Sequence, residues 1–262
     1  MKKLVLTLAL SLASLSQASR IVVYGDEWMF ADITYMGSGS GFTGGNDGAQ
    51  FALNVAAWLT EGGAGNNLLL SSNSSIALNG SMLNSTLSGA GYGLTYNAGA
   101  QTLAQLQAYD AVFVAANSGI SASILTQYVN GGGNVFLAAG TGAACEDCLY
   151  DPFLNGFGLD LGPGYNGIGS PYTPSAMSLP VSGSHFILGG VDHLQYGNGN
   201  TVYDINVSDT RSQVIASYQG AGLLAVYDGN TAGTPGAVPE PGSLALMGLG
   251  LAALGMGLRR RK

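Results

Sequence analysis

Residues 111–138 read AVFVAANSGISASILTQYVNGGGNVFLA. Two short apolar, β-prone runs, Ala111 to Ala115 and Asn134 to Ala138, enclose a different pattern. Ser121 stands where a helix cap is needed, Ile124, Leu125, Tyr128 and Val129 fall on one helical face, and Gly131-Gly132-Gly133 ends the run. Strand, helix and strand within one such stretch make a βαβ unit. Such a unit forces its two strands to be parallel and its helix to cover one face of the sheet.

The same alternation extends towards the N-terminus. Arg20 to Tyr24 (RIVVY) is an apolar run ending in Gly25-Asp26, a buried strand. Phe51, Val55, Trp58 and Leu59 form a helical stripe, with Asn46 or Asp47 as cap and Gly62-Gly63 as stop. Leu68-Leu69-Leu70 is a second strand. Met82, Leu83, Thr86 and Leu87 mark a helix stopped by Gly89, Gly93 to Tyr96 is a weaker strand, and Thr102 to Ala108 is a short helix. Beyond residue 160 the helices give out. Thr201 to Val207, Gln213 to Ser217 and Gly222 to Tyr227 read as three strands of an antiparallel edge. The expected fold class is α/β, with a mostly parallel sheet covered on both faces and antiparallel C-terminal strands. The body spans 19–227, and the small, polar segment 228–238 is a linker.

Composition narrows the function. Of 262 residues only 9% are charged, and 42 are glycine without the three-residue period of collagen. Between residues 19 and 238 two arginines, Arg20 and Arg211, face fourteen acids, a formal charge of −12. A body with no lysine cannot neutralise a phosphate backbone, so nucleic acid is excluded as a partner.

Both ends of the chain read as addresses. MKKLVLTLALSLASLSQA, residues 1–18, has a basic start, an apolar middle and small residues before the expected cut, the pattern of a secretory signal peptide. The chain ends VPEPGSLALMGLGLAALGMGLRRRK. Residues 242–258 carry no charge and, as a helix, would span ~25 Å, the short end of what crosses a bilayer core. Arg259, Arg260, Arg261 and Lys262 form a basic stop that keeps this end in the cytoplasm and the body outside.

Val238-Pro239-Glu240-Pro241, the Gly- and Leu-rich apolar stretch, and the terminal cations Arg259 to Lys262 together resemble the PEP-CTERM sorting signal, over residues 238–262. The resemblance implies a Gram-negative bacterium that makes exopolysaccharide. It also implies a processing partner, the membrane-embedded exosortase, cutting near Pro239, Glu240 and Pro241. The expected route is export, transient anchoring in the inner membrane with the body in the periplasm, and then the cell surface or an extracellular polysaccharide matrix.

The phrases VVYGDEWMF, GAQFALNVAAWLTEGG, LTQYVNGGGNVFLAAGTG and SHFILGGVDHL together resemble the class I glutamine amidotransferase-like superfamily, in its non-catalytic surface-protein branches. That likeness implies a flavodoxin-like three-layer sandwich. It also implies a nucleophile elbow, for which the closest match is Ala138-Ala139-Gly140-Thr141-Gly142. The nucleophile position falls on Gly140, which has no side chain, and neither His185 nor His193 is followed two residues later by Glu. A set assembled from Ser184, His185 and Asp192 has no spacing in its favour. No catalytic residue and no cofactor are assigned.

Two further groups stand out. Cys145 and Cys148 (Cys-Glu-Asp-Cys) in an exported domain favour a local structural disulfide near the start of a helix running from about Ala143 towards Leu154. The competing readings are a redox pair, disfavoured by the flanking Glu146 and Asp147, and zinc, which lacks a second ligand pair. Asp26, Glu27, Asp32 and Asp47 gather in the loop after the first strand, with the aromatics Trp28, Phe30, Tyr35 and Phe42. In open α/β sheets ligands bind at this carboxyl edge, so the four acids are the candidate Ca²⁺ or sugar ligands. The preferred reading of the body is a non-catalytic structural or binding domain. The alternative is a carbohydrate-active hydrolase or a Ca²⁺- or sugar-binding module working through the acidic loop.

Overall fold

The computed structural model describes residues 19–32, 40–72, 77–115, 118–140, 145–169 and 177–231, all of them within one compact unit, 17–234. The signal peptide, the linker beyond residue 231, the segment 242–258 and the terminal cations lie outside the described residues. Among the described residues no helix is long and apolar enough to cross a membrane.

The βαβ alternation gives the element order. Strands β1 (Arg20–Tyr24), β2 (Asn67–Ser72), β3 (Gly93–Tyr96), β4 (Ala111–Ala115) and β5 (Val135–Ala138) alternate with helices α1 (Gly48–Thr60), α2 (Ser81–Gly89), α3 (Leu103–Leu106) and α4 (Ala122–Asn130). After β5 come α5 (Glu146–Leu154), β6 (Leu159–Leu161), β7 (Met177–Pro180), β8 (His193–Tyr196), β9 (Val202–Asp204), β10 (Ser212–Tyr218) and β11 (Ala221–Asp228). Caps act as expected at α4, where Ser121 Oγ accepts from Ile124 N at 3.4 Å. At α3, Thr102 and Gln105 form a reciprocal capping box. The end of α1 differs from expectation: the left-handed cap falls on Glu61 (φ 52°), one residue before the Gly62-Gly63 pair.

The main sheet has seven strands in the order β10-β11-β1-β5-β4-β2-β3. Its five early strands are mutually parallel, and β11 pairs antiparallel with both β1 and β10. The sheet alternates its side chains into two cores. Val22, Tyr24, Phe113 and Phe136 point to the face covered by α1 and α2, where they meet Phe51, Val55, Leu83 and Leu87. Ile21, Val23, Val112 and Leu137 point to the face covered by α3, α4 and α5, where they meet Leu106, Leu125, Tyr150 and Phe153. The result is three layers, helix, sheet and helix.

Two expectations are corrected. The segment Thr201 to Val207 does not join the antiparallel edge: its three-residue strand β9 pairs with β6 in a separate ribbon, and β7 with β8 in another. The parallel strands also depart from the flavodoxin-like order 2-1-3-4-5. Their order is β3-β2-β4-β5-β1. Counted from β2 this is the flavodoxin pattern with the chain's first strand placed fifth, a cyclic shift. The long crossover through α1 carries the chain from β1 across β5 and β4 to β2.

This order sets where the switch point of the sheet falls. Helix α1 leaves β1 for one face and α5 follows β5 to the other, so the carboxyl ends of the neighbours β1 and β5 form a topological switch point. The acidic loop starts there.

Candidate functional site

At the end of β1 the chain turns into a short 3-10 helix, Glu27–Phe30, capped by Asp26. Asp26 is fully buried. Its Oδ1 accepts from Trp28 N at 2.7 Å and its Oδ2 accepts from Gly197 N in the loop between β8 and β9. Burial pushes its carboxyl up to about 7, with the charge of Glu146 adding to the rise and the two N–H donors opposing it. Glu27 is 4% exposed, and its Oε2 has no hydrogen-bond partner. Burial, then the charges of Glu146 and Asp26, push it up to about 8. The third acid, Glu146, is the first residue of α5, is 1% exposed, and accepts from Gly140 N at the end of β5.

The other two loop acids point elsewhere. Asp32 caps α2 from a distance: its carboxylate accepts from Ser81 N and Ser81 Oγ, each at 2.7 Å, and from Met82 N at 3.0 Å. The helix's own cap position is Gly80, which has no side chain to do this. Partial burial pushes Asp32 up, but the Ser81 hydroxyl and the two N–H groups outweigh it and hold the carboxyl below its ordinary value. Asp47 precedes α1 without capping it, and its Oδ2 accepts from Asp192 N at 2.8 Å and His193 N at 2.9 Å. The four acids therefore do not share one site. Two enter the switch point, where Glu146 joins them, and two tie loops together.

The loop aromatics serve the core. Phe30 is 1% exposed and packs against Phe42, Phe51 and Phe136, with ring centroids 5.2–6.2 Å apart. Tyr35 lies outside the described residues.

Position 140, at the centre of the expected elbow, has no room for a side chain. Gly140 has φ +121°, and a Cβ there would overlap the carbonyl oxygen of Gly25 and come within 2.7 Å of Asn200 N. Asn200 N donates to Gly25 O at 2.8 Å, so the chain's own loop, residues 196–200, presses on the carboxyl end of β1. Side chains brace that loop: Tyr196 Oη donates to Asn200 O at 3.0 Å, and Asn198 Oδ1 accepts from Gly167 N at 2.9 Å. Thr141 and Gly142, the rest of the elbow match, lie outside the described residues. No hydrogen bond joins Ser184, His185 and Asp192 among the described residues. His185 sits at the amino end of β1, against Trp58.

Cys145 and Cys148 are joined by a disulfide, with Cα atoms 5.3 Å apart. Cys145 is the N-cap of α5, so that helix starts at Glu146 and the bridge encloses its first turn. With Asp147 the two sulfurs make the one group among the described residues compact enough to hold a metal ion. Sulfurs bonded to each other are poor metal ligands, since it is the thiolate that binds.

Glu146 was not among the expected site residues, yet the signal is in the sequence. Glu146, Tyr150, Phe153 and Leu154 are spaced i, i+4, i+7 and i+8, and all four are buried on one face of α5. An acid at the head of an apolar stripe points into the core.

Residues 237–262 match the family model described as the PEP-CTERM protein-sorting motif. The chain carries a PEP-CTERM sorting signal. The motif implies a protein exported and sorted by an exosortase, through a route that is transiently membrane-anchored. It covers the C-terminal end and says nothing of the body. No curated protein and no solved structure matches the chain, so the amidotransferase-like likeness of the body has no support from those comparisons.

Proposed function

We propose that this is an exosortase substrate whose body, residues 19–227, is a non-catalytic structural or binding domain displayed at the cell surface or in an exopolysaccharide matrix. Residues 1–18 start export, 242–258 anchor the chain in the inner membrane, and Arg259, Arg260 and Arg261 hold its end in the cytoplasm. Exosortase then cuts near Pro239, Glu240 and Pro241, where two prolines keep the backbone extended and out of the helix behind it. The sorting half of this reading rests on the motif at residues 237–262.

The non-catalytic half is supported by Gly140, which falls where the amidotransferase-like resemblance would put a nucleophile and has no room for a side chain under the Gly25 carbonyl. The hydrolase reading has Glu27 in its favour, a buried carboxyl with an unpartnered oxygen beside Asp26. Against it, Asp26 and Glu146 are both engaged by backbone N–H groups, which leaves Glu27 without a free carboxylate partner for acid–base work.

The test is the intact mass of the protein recovered from the cell envelope and medium. We expect a species lacking residues 1–18 and ending near Pro239, and Glu240→Ala should leave the chain uncut in the membrane fraction. A full-length chain in the cytosol with residues 1–18 intact overturns the proposal.

A further inference from the structure

At the amino end of β1, opposite the acidic loop, two concavities flank one aromatic side chain. A cavity of about 490 Å³ is lined by Ser184, His185, Phe186, Gln213 and Val214 beside the edge strand β10. A second, of about 270 Å³, is lined by Arg20, Trp58, Glu61 and Phe186. Phe186 belongs to both and is 58% exposed. It opens a 3-10 helix, Phe186–Leu188, whose other two residues, Ile187 and Leu188, are buried. The backbone thus holds the phenyl ring out of the surface on a fixed support. The site is separate from the buried acids at the switch point, and nothing in the sorting signal calls for it.

The chemistry of the lining selects the ligand. Arg20 is the one full positive charge, and it is already engaged: its guanidinium pairs with Glu61 at 3.3 Å and Asp228 at 3.4 Å, donates to Trp58 O at 2.6 Å, and stacks over the Trp58 ring. Glu61 and Asp228 share its one charge, so no cation is left free there. His185 stands edge-on to Trp58, with ring centroids 5.1 Å apart. Burial lowers its pKa, Asp228 opposes this and Arg20 adds to it, so the imidazole is neutral at pH 7; its Nδ1 accepts from Ile187 N, which leaves Nε2–H to donate to a ligand. Ser184 and Gln213 are exposed and add hydroxyl and amide groups. An exposed aromatic face between two polar hollows with no free cation suits a ligand with an apolar face and a hydroxyl rim. Phosphate or sulfate finds no free cation here, and the half-exposed Glu61 carboxylate keeps acceptor capacity for a hydroxyl.

We propose that Phe186 and the two cavities beside it form a binding site for a neutral saccharide, with one sugar ring stacked on Phe186 and its neighbours' hydroxyls reaching His185 and Gln213 on one side and Glu61 on the other. A polyanionic glycan is disfavoured by the charge of −12 that residues 19–238 carry.

Tryptophan fluorescence tests this directly, because the chain has two tryptophans and one of them, Trp58, lines the site. The full chain, held in a sugar-free detergent, is titrated with cellohexaose, maltohexaose, xylohexaose and mannohexaose, and with polygalacturonate oligomers as the anionic comparison. A saturable change is expected with at least one neutral oligosaccharide, absent in Trp58→Phe. Phe186→Ala should weaken binding by about tenfold or more, with unchanged far-UV circular dichroism and melting temperature because the ring is exposed, and Phe186→Tyr should restore it. No saturable response to any neutral oligosaccharide, binding that Phe186→Ala leaves intact, or tighter binding of the anionic oligomers would each overturn the proposal. None of these outcomes bears on sorting, which the mass of the released protein reads separately.

Discussion

The carboxylate of Glu146 accepts the backbone N–H of Gly140. The residue that heads α5 thereby holds the chain just after β5. Backbone packs on backbone here, and the room a side chain would need is filled by the Gly25 carbonyl and the amide of Asn200. A direct consequence concerns substitution at this point. Gly140→Ala should destabilise the fold by roughly 2–4 kcal/mol, from steric overlap and a φ of +121° that L-residues rarely adopt. Gly63→Ala, where an added Cβ meets nothing within 4 Å, should change stability by less than about 1 kcal/mol. Urea denaturation of the two variants compares them, and equal effects would refute the crowding at Gly140.

The buried acids set a pH dependence of unusual direction. Asp26 and Glu27 have folded pKa values raised to about 7 and about 8 from 3.8 and 4.5. Both therefore bind protons more tightly folded than unfolded. Between these limits the unfolded chain has released protons that the folded chain still holds, so unfolding free energy falls as pH rises. The body should be most stable on the acid side, near pH 4 to 5, and should lose on the order of a few kcal/mol by about pH 8. Glu27→Gln removes one of the two groups, and its stability should fall less steeply above about pH 6 than that of the natural chain. Melting temperatures across this range read both slopes, and a stability that rises from pH 5 to pH 8 would contradict the assignment.

Asp32 works in the opposite sense. It accepts three hydrogen bonds at the start of α2, and its folded pKa lies below the ordinary value. Its contribution is present above the unfolded carboxylate pKa and is lost as pH falls through the folded one. Asp32→Ala should cost about 1–2 kcal/mol, the range of a lost helix cap, and Asp32→Asn should cost less because an amide oxygen still accepts. The difference between Asp32→Ala and the natural chain should shrink as pH falls through the lowered folded pKa and the carboxyl takes up its proton. Equal stability of the alanine variant and the natural chain at pH 6 would exclude the capping role.

The βαβ order was legible because each element advertises itself locally. AVFVA and NVFLA are too apolar and too β-branched to be surface, and Ser121 and Gly131 mark the ends of the helix between them. Local pattern is silent on pairing, so the placement of β1 beside β5 and β11 could not be read from RIVVY. The strands β6 to β8 escaped because three or four residues cannot show a period: Leu159-Asp160-Leu161 alternates, but so does many a loop. The acidic loop divided in a way its sequence does not show. Asp26 and Glu27 are neighbours in the chain, yet one meets two backbone amides and the other leaves an oxygen unpartnered. The donors that decide this, Gly197 for Asp26 and Ser81 for Asp32, lie far along the chain from the acids they satisfy.

The disulfide and Glu146 make a linked pair for the last test. Cys145 and Cys148 close a turn around Glu146 at the N-terminus of α5, and both cysteines are exposed while Glu146 is 1% exposed. Closing so short a loop removes little entropy from the unfolded chain, so replacing both cysteines with serine should cost at most ~2 kcal/mol. The cost should act through Glu146. With the bridge gone, Cys145 is freer to leave its left-handed conformation (φ 53°), and the first turn of α5 can fray and let the carboxylate off Gly140 N. Hydrogen exchange at the Gly140 amide reads this directly. Exchange should quicken in the double serine variant and in Glu146→Ala, and the two changes combined should cost less than their sum because they break one connection. Strict additivity would show that the bridge and the carboxylate act independently, and two readily alkylated thiols in the oxidised protein would show that the bridge does not form. Sorting should be unaffected in every variant, since the sorting motif at residues 237–262 lies far along the chain from this turn.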